Sequence, residues 1–125
     1  MSDSPEVGFV YDDRYLQHNP GCEMFWTAHG PIPVPFVEPI LHPSNYRLAM
    51  RTKHLLDLAG LTPLMTRIEP RPATIEELTV FHTSEYVERV RQLSVKGCGD
   101  AGKHAPVGPG SYEIALLAAG GAITP

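Results

Sequence analysis

The segment Ile114–Ala119 constrains the fold of this chain most, because all of its residues are apolar. Ser111 is expected to cap a helix here, since its hydroxyl can accept a hydrogen bond from an otherwise unpaired backbone N–H. A helix that is apolar on every side is stable only when it is buried between other elements. The remaining chain supplies no layer to cover it. We therefore expect residues 1–125 to be a single incomplete domain, the front part of a larger fold.

Composition places the chain among ordinary globular proteins, with 42% hydrophobic and 19% charged residues. A net charge of -4 argues against a nucleic-acid partner, which would need a basic surface. The acidic start lacks the apolar run of a signal peptide, and no segment is long enough to span a membrane. The two cysteines are far apart and form no CxxC motif, which favours reduced thiols and a cytoplasmic location.

The short apolar run Val7–Tyr11 predicts a buried first strand, and Leu64–Ile68 predicts a second strand. Helical segments alternate with them, which is typical of an α/β layer protein with parallel strands. Capping residues predict where these helices begin. The expected caps are Ser44 or Asn45 for a helix to about Ala59, Thr74 with Glu77 for a short helix to near His82, and Thr83 or Ser84 for a helix to about Leu93.

Two segments are predicted to be loops. Residues 19–43 carry prolines at 20, 31, 33, 35, 39 and 43, which exclude a regular helix and disfavour a central strand. Phe25 and Trp26 argue against disorder in this segment, because disordered chains are poor in aromatic residues. The second loop, Gly97–Gly110, is rich in glycine and proline.

One run of residues resembles a family signature. Arg67–Thr74, then Glu76–Leu78 and Phe81–Val87, resemble the run x-P-R-P-A-T-x-x-E-L … H-[ST]-x-x-Y near the start of the histone deacetylase family. Further segments resemble family motifs in the family's order, the later ones those of bacterial members close to class II: Val7–Asp12, Leu41–Ser44, Gly97–Gly102, and Gly108–Ala115 with Ala119–Ala122. The resemblance implies the N-terminal part of a three-layer, parallel-sheet arginase/deacetylase-like fold.

The resemblance also implies a zinc-dependent amidohydrolase that acts on acylated amines, such as acetyl-lysine or acetylated polyamines. In that family two Asp and one His hold the zinc ion, and an adjacent His pair handles the proton of the attacking water. This sequence has no His-His pair and no Asp-x-His motif. We therefore assign it no catalytic residue and no metal ligand, and expect the isolated chain to be inactive. The alternative is a free-standing, non-catalytic relative that serves as an interaction or oligomerisation module.

By the same resemblance, Asp100 is the candidate for a rim residue that accepts hydrogen bonds from the substrate backbone. An aspartate between glycines can equally shape its own turn. Arg47 or Arg51 is the candidate for an arginine near an internal channel for the released acid. Each of these arginines can also simply solvate a helix face.

The tunnel-entrance loop is assigned, by the same resemblance, to His18, Phe25, Trp26 and His42. Phe25 and Trp26 can instead mediate self-association or pack beneath the loop. Since the apolar helix lacks a covering layer, we expect the isolated chain to self-associate or to bind the remainder of its fold.

Overall fold

The computed structural model describes residues 7–21, 23–34 and 45–124; for residues 23–26, 31, 33 and 34 it describes the backbone only. The strands are β1 (Gly8–Val10), β2 (Glu23–Thr27), β3 (Gly30–Val34), β4 (Thr66–Ile68), β5 (Gly99–Asp100) and β6 (Pro106–Val107). The α-helices are α1 (Tyr46–Leu58), α2 (Ile75–Thr79), α3 (Ser84–Lys96) and α4 (Ser111–Ile123). Short 3-10 helices cover Asp13–Gln17 and Thr62–Leu64.

β1 and β4 form the predicted parallel pair, with Gly8 opposite Thr66 and Val10 opposite Ile68. Both strands are shorter than the sequence predicted, and Phe9 and Val10 are half-buried rather than buried. The pair consists of three residues on each strand, and two strands alone give little stability. On one side the pair approaches α4, where a Cβ added to Gly121 would lie 2.7 Å from Val10 Cγ1.

The prediction of a loop over residues 19–43 was wrong in its middle part. β2 and β3 pair there as an antiparallel hairpin, with Trp26 opposite Pro31 and Met24 opposite Pro33. Successive N–H groups of a strand point to opposite edges, so prolines at every second position remove donors from one edge only. A two-stranded hairpin needs only one edge, and alternating prolines are therefore compatible with it.

The helix caps follow the sequence closely. The Asn45 side chain accepts the Arg47 N–H at 2.9 Å, and Thr83 accepts the Tyr86 N–H at 3.2 Å. Thr74 and Glu77 form a reciprocal capping box at the start of α2. α3 ends at Gly97, whose φ of +89° is the left-handed conformation that glycine adopts without strain.

The expected cap at Ser111 was wrong. The N-cap of α4 is Gly110, with φ +74° and no side-chain cap. The Ser111 hydroxyl instead accepts the Gly108 N–H at 3.0 Å and lies 3.5 Å from the Asn19 carbonyl oxygen. This serine is buried and ties the start of α4 to the preceding turn.

The small core is built around α4. Its buried apolar residues are Ala73, Val87, Ala101, Val107 and Leu117. By contrast, no residue of α1 is buried, although the structure describes the whole helix. Leu55 and Leu58 of α1 are 67% and 88% exposed. The apolar side chains of this part of the chain are thus only partly covered by its own described residues.

Cys98 is disulfide-bonded, contrary to the expectation of reduced thiols. The one other cysteine of the sequence, Cys22, lies outside the described residues. Among the helices that the structure describes, none is long and apolar enough to cross a membrane.

Candidate functional site

Asp100 lies at the end of β5, and residues 100–105, which we name the Asp100 loop, lead towards β6. One carboxylate oxygen, Oδ1, accepts the backbone N–H groups of Gly102 at 2.8 Å and Ala105 at 3.0 Å. The other, Oδ2, accepts the N–H of His104 at 3.1 Å. Asp100 therefore shapes its own loop, as the turn-forming interpretation of the sequence proposed.

The backbone of this loop adopts an unfavourable conformation that these hydrogen bonds stabilise. Lys103 and His104 have φ of +46° and +68°, a left-handed conformation that costs energy in residues other than glycine. The three N–H groups converge on one carboxylate because of this turn. The carboxylate holds them in place, and its bonds offset the strain of the two left-handed residues.

The protonation state of Asp100 follows from the same contacts. Partial burial raises the pKa of its carboxyl, but the hydrogen bonds from Gly102, Ala105 and His104 outweigh burial and leave the pKa below its ordinary value. Asp100 is therefore ionised at neutral pH. A carboxylate can accept about four hydrogen bonds, and the described loop supplies three of them.

Two side chains that the sequence analysis did not single out tie α3 to its neighbours, one to this loop and one to α4. Arg89 of α3 donates from Nη2 to the Ala101 carbonyl oxygen at 2.6 Å. The Ser94 hydroxyl accepts the Tyr112 N–H at 3.1 Å, which joins α3 to the first turn of α4. One signal was visible: Ser94 follows Val87 by two helical turns, and a polar residue at that spacing falls on the buried face of the helix.

The motif that carries the family resemblance is structural in this chain. Arg71 donates two hydrogen bonds to Glu77, from Nη2 to Oε1 at 2.6 Å and from Nη1 to Oε2 at 2.8 Å. The same Oε2 accepts the Thr74 N–H at 2.8 Å. The Arg71 guanidinium, and then the Thr74 N–H, lower the pKa of Glu77 to about 2. This network fixes the turn that leads into α2.

The same motif packs against α4. The Ala73 N–H donates to the Leu116 carbonyl oxygen at 2.9 Å. At Gly120, an added Cβ would overlap the Arg71 carbonyl oxygen and lie 2.6 Å from the Ala73 nitrogen. The glycine is therefore needed for the close approach of these two backbones. Two separate motifs of the sequence meet at this contact. One is the Arg71–Ala73 segment after β4, and the other is the glycine pair of α4, Gly120 and Gly121.

The structure describes only some of the other predicted site residues, and it brings none of the described side chains among them together. Arg47 and Arg51 are both exposed on α1. His18 caps the end of the Asp13–Gln17 helix through its backbone N–H. Phe25 and Trp26 lie in β2 with only their backbone described, and His42 lies outside the described residues. Their assignments to a channel and to a tunnel entrance remain predictions.

The described side chains do not fit a zinc site. Among them, no group of three or more His, Cys, Asp or Glu residues could hold a metal ion. The carboxylate of Asp100 is committed to backbone N–H groups of its own loop. We therefore derive no chemical step through a metal from this chain.

Comparison with known proteins defines the fold first. The chain is similar to the solved structure of the HDA15 HD domain, with a TM-score of 0.68 and 26% identity over 92% of this chain and 29% of that one. A parallel strand pair with helices, superposed on a deacetylase domain, is the N-terminal part of the arginase/deacetylase fold.

The sequence comparisons then define the family. The model of the histone deacetylase domain matches residues 42–125. The histone deacetylase-like amidohydrolase of Pseudomonas aeruginosa is 42% identical over 94% of this chain and 30% of its own length. Histone deacetylase 8 of Arabidopsis thaliana is 31% identical over 91% of this chain and 30% of its own length. The chain belongs to the histone deacetylase family and spans less than a third of these relatives.

Proposed function

We propose that this chain forms the N-terminal portion of a zinc-dependent, deacetylase-like amidohydrolase domain that acts on acylated amines such as acetyl-lysine or acetylated polyamines. In this proposal the chain supplies a substrate-binding rim and the supports of the fold, while the zinc ligands and the proton-transferring histidines come from outside it. The family match and the lack of a metal site among the described side chains support this division of roles.

The Asp100 loop is the observation that carries the proposal. An ionised carboxylate, held by three backbone bonds and able to accept about four in all, suits a donor N–H of a substrate backbone. Since the loop holds the carboxylate before substrate arrives, little ordering would remain to be done on binding. Asp100 thus combines the loop-forming role that is observed with the rim role that we propose.

A chimera tests the proposal. The chain would replace the segment that it matches in the Pseudomonas aeruginosa amidohydrolase. We expect zinc-dependent hydrolysis of an acetyl-lysine peptide by the chimera, abolished by a chelator, and none by the chain alone. A chimera that folds, retains zinc and yet hydrolyses neither acetyl-lysine peptides nor acetylated polyamines would contradict the proposed function.

The role of Asp100 is tested in the same chimera with Asp100→Asn. A charged hydrogen bond contributes roughly 1.5–3 kcal/mol, so its loss should raise KM at least about tenfold. Asp57→Asn is the matched control, because Asp57 is an exposed carboxylate at the end of α1 that bonds Lys53 and Thr62. An unchanged KM in Asp100→Asn would leave this residue with the loop-forming role alone.

A further inference from the structure

Arg89 stands out among the charged residues of α3, because its partner is a backbone carbonyl rather than a carboxylate. Its Nη2 donates to the Ala101 oxygen at 2.6 Å. An added Cβ on Gly102 would lie 3.9 Å from the same Nη2, so the guanidinium also lies beside this residue. The acidic neighbour Glu88 is engaged elsewhere, with Arg91.

The guanidinium also lies over an aromatic ring. Its central carbon lies 5.2 Å from the centroid of the Tyr86 ring, within the range of a cation–π contact. Tyr86 is in turn stacked on His82, with ring centroids 5.2 Å apart and planes 28° from parallel. These contacts restrict the rotamers of a long side chain that would otherwise be mobile at the surface.

The bond to Ala101 acts on the Asp100 loop at its second residue. Ala101 is buried, and its N–H also donates to the Ala105 carbonyl oxygen at 2.9 Å, which closes the loop on itself. The peptide units on both sides of Ala101 are therefore fixed, one by the loop and one by α3. Because Asp100 directly precedes Ala101, this fixes the direction of the Asp100 backbone as well.

We propose that Arg89 is a positioning residue for substrate binding: it anchors the Asp100 loop to α3, and through that anchor it keeps the Asp100 carboxylate in place for the substrate. The inference deepens the proposed function and rests on it for the substrate role. The anchoring itself is a property of this chain and can be measured without any enzyme activity.

The first experiment measures backbone hydrogen exchange by NMR in the 125-residue chain, with Arg89→Met compared with wild type. Protection of the N–H groups of Ala101, Gly102, His104 and Ala105 should fall at least about tenfold, as loss of a charge-assisted bond implies.

Arg89→Lys keeps the charge but not the planar fork and should restore protection only in part. Arg91→Met is the matched control, since the Arg91 guanidinium pairs with Glu88 of the same helix. Unchanged protection in Arg89→Met overturns the proposal.

The second experiment uses the chimera described above. Arg89→Met should raise KM for an acetyl-lysine peptide several-fold and change kcat less, with partial rescue in Arg89→Lys and no effect in Arg91→Met. If Asp100→Asn raises KM while Arg89→Met loosens the loop and leaves KM unchanged, the positioning role is wrong. If Asp100→Asn itself has no effect on KM, the proposed rim role of Asp100 fails, and the exchange experiment still decides whether Arg89 anchors the loop.

Discussion

Gly120→Ala should strongly destabilise this chain, although alanine is the better helix former. In α4 the exchange would gain about 0.5–1 kcal/mol of helix propensity. Against this, the new methyl group would overlap the Arg71 carbonyl oxygen and lie 2.6 Å from the Ala73 nitrogen and 2.7 Å from the Pro72 carbonyl carbon. All three are backbone atoms, which cannot rotate away as the end of a side chain can. The helix or the run after β4 must therefore move.

Such a movement has two costs. Overpacking in a filled site typically costs about 1–3 kcal/mol. Separation of the two backbones would also break the bond from the Ala73 N–H to Leu116, and a buried N–H without a partner costs about 1–3 kcal/mol. After the gain in propensity is subtracted, we expect the free energy of unfolding to fall by roughly 1–5 kcal/mol, a large share of the total for a domain of this size.

The assay is urea unfolding of the chain, followed by circular dichroism, with two matched variants. Gly121→Ala places its Cβ against Val10 Cγ1 at 2.7 Å, Tyr15 Oη at 3.0 Å and Pro70 Cβ at 3.1 Å, and should cost less because these contacts are longer than those at Gly120 and none is with a backbone carbonyl oxygen or nitrogen. Ala122→Gly, at an exposed position of the same helix, should lose only the propensity of about 1 kcal/mol. A Gly120→Ala variant as stable as wild type would refute the close packing of α4 on the Arg71–Ala73 segment.

Two further predictions concern acid and assembly. The pKa of Glu77 is lowered to about 2 from 4.5, so its contribution to stability is complete above pH 4.5 and is lost as the pH falls towards 2. Acid titration of the chain should show this loss of stability, and the loss should be smaller in Glu77→Gln. If stability falls with acid pH equally in wild type and Glu77→Gln, the role of the Arg71 contact is contradicted. Light scattering should show self-association of the chain. Leu116→Glu, in the groove between α3 and α4, should weaken this association. Leu117→Glu should instead unfold the chain, because Leu117 is buried. A monomer at high concentration would refute this expectation.

The sequence alone predicted those structural features that depend on residues close to one another along the chain. The capping box of Thr74 and Glu77 depends on residues within one helical turn, so its pattern predicted it correctly. For the two longer helices the sequence offered two neighbouring caps each, and the structure uses Asn45 and Thr83. The parallel pair of β1 and β4 followed from the alternation of strands and helices.

The sequence was not sufficient where a residue serves a distant segment. Serine is a residue type that commonly caps helices, yet the Ser111 hydroxyl bonds Gly108 and approaches Asn19. The approach to Asn19 cannot be inferred from the residues next to Ser111 in the sequence. The hairpin in the proline-rich segment depends on which strand edge the prolines leave intact, which requires the pairing to be known. The Asp100 loop was located from its motif, but its anchor on Arg89 arises only from the packing of α3 beside it.

The parallel pairing of β1 with β4 has a consequence for synthesis of the chain on the ribosome. Gly8 emerges early, but its partner Thr66 emerges only after the hairpin and α1 have been made. Parallel pairing at such a separation forms slowly, since the long intervening segment must be ordered first. The glycine pair of α4, which packs against Val10 and Pro70, is translated later still. During this interval β1 lacks its partner strand, and the nascent chain at this stage is a natural client for chaperones that shield exposed strands.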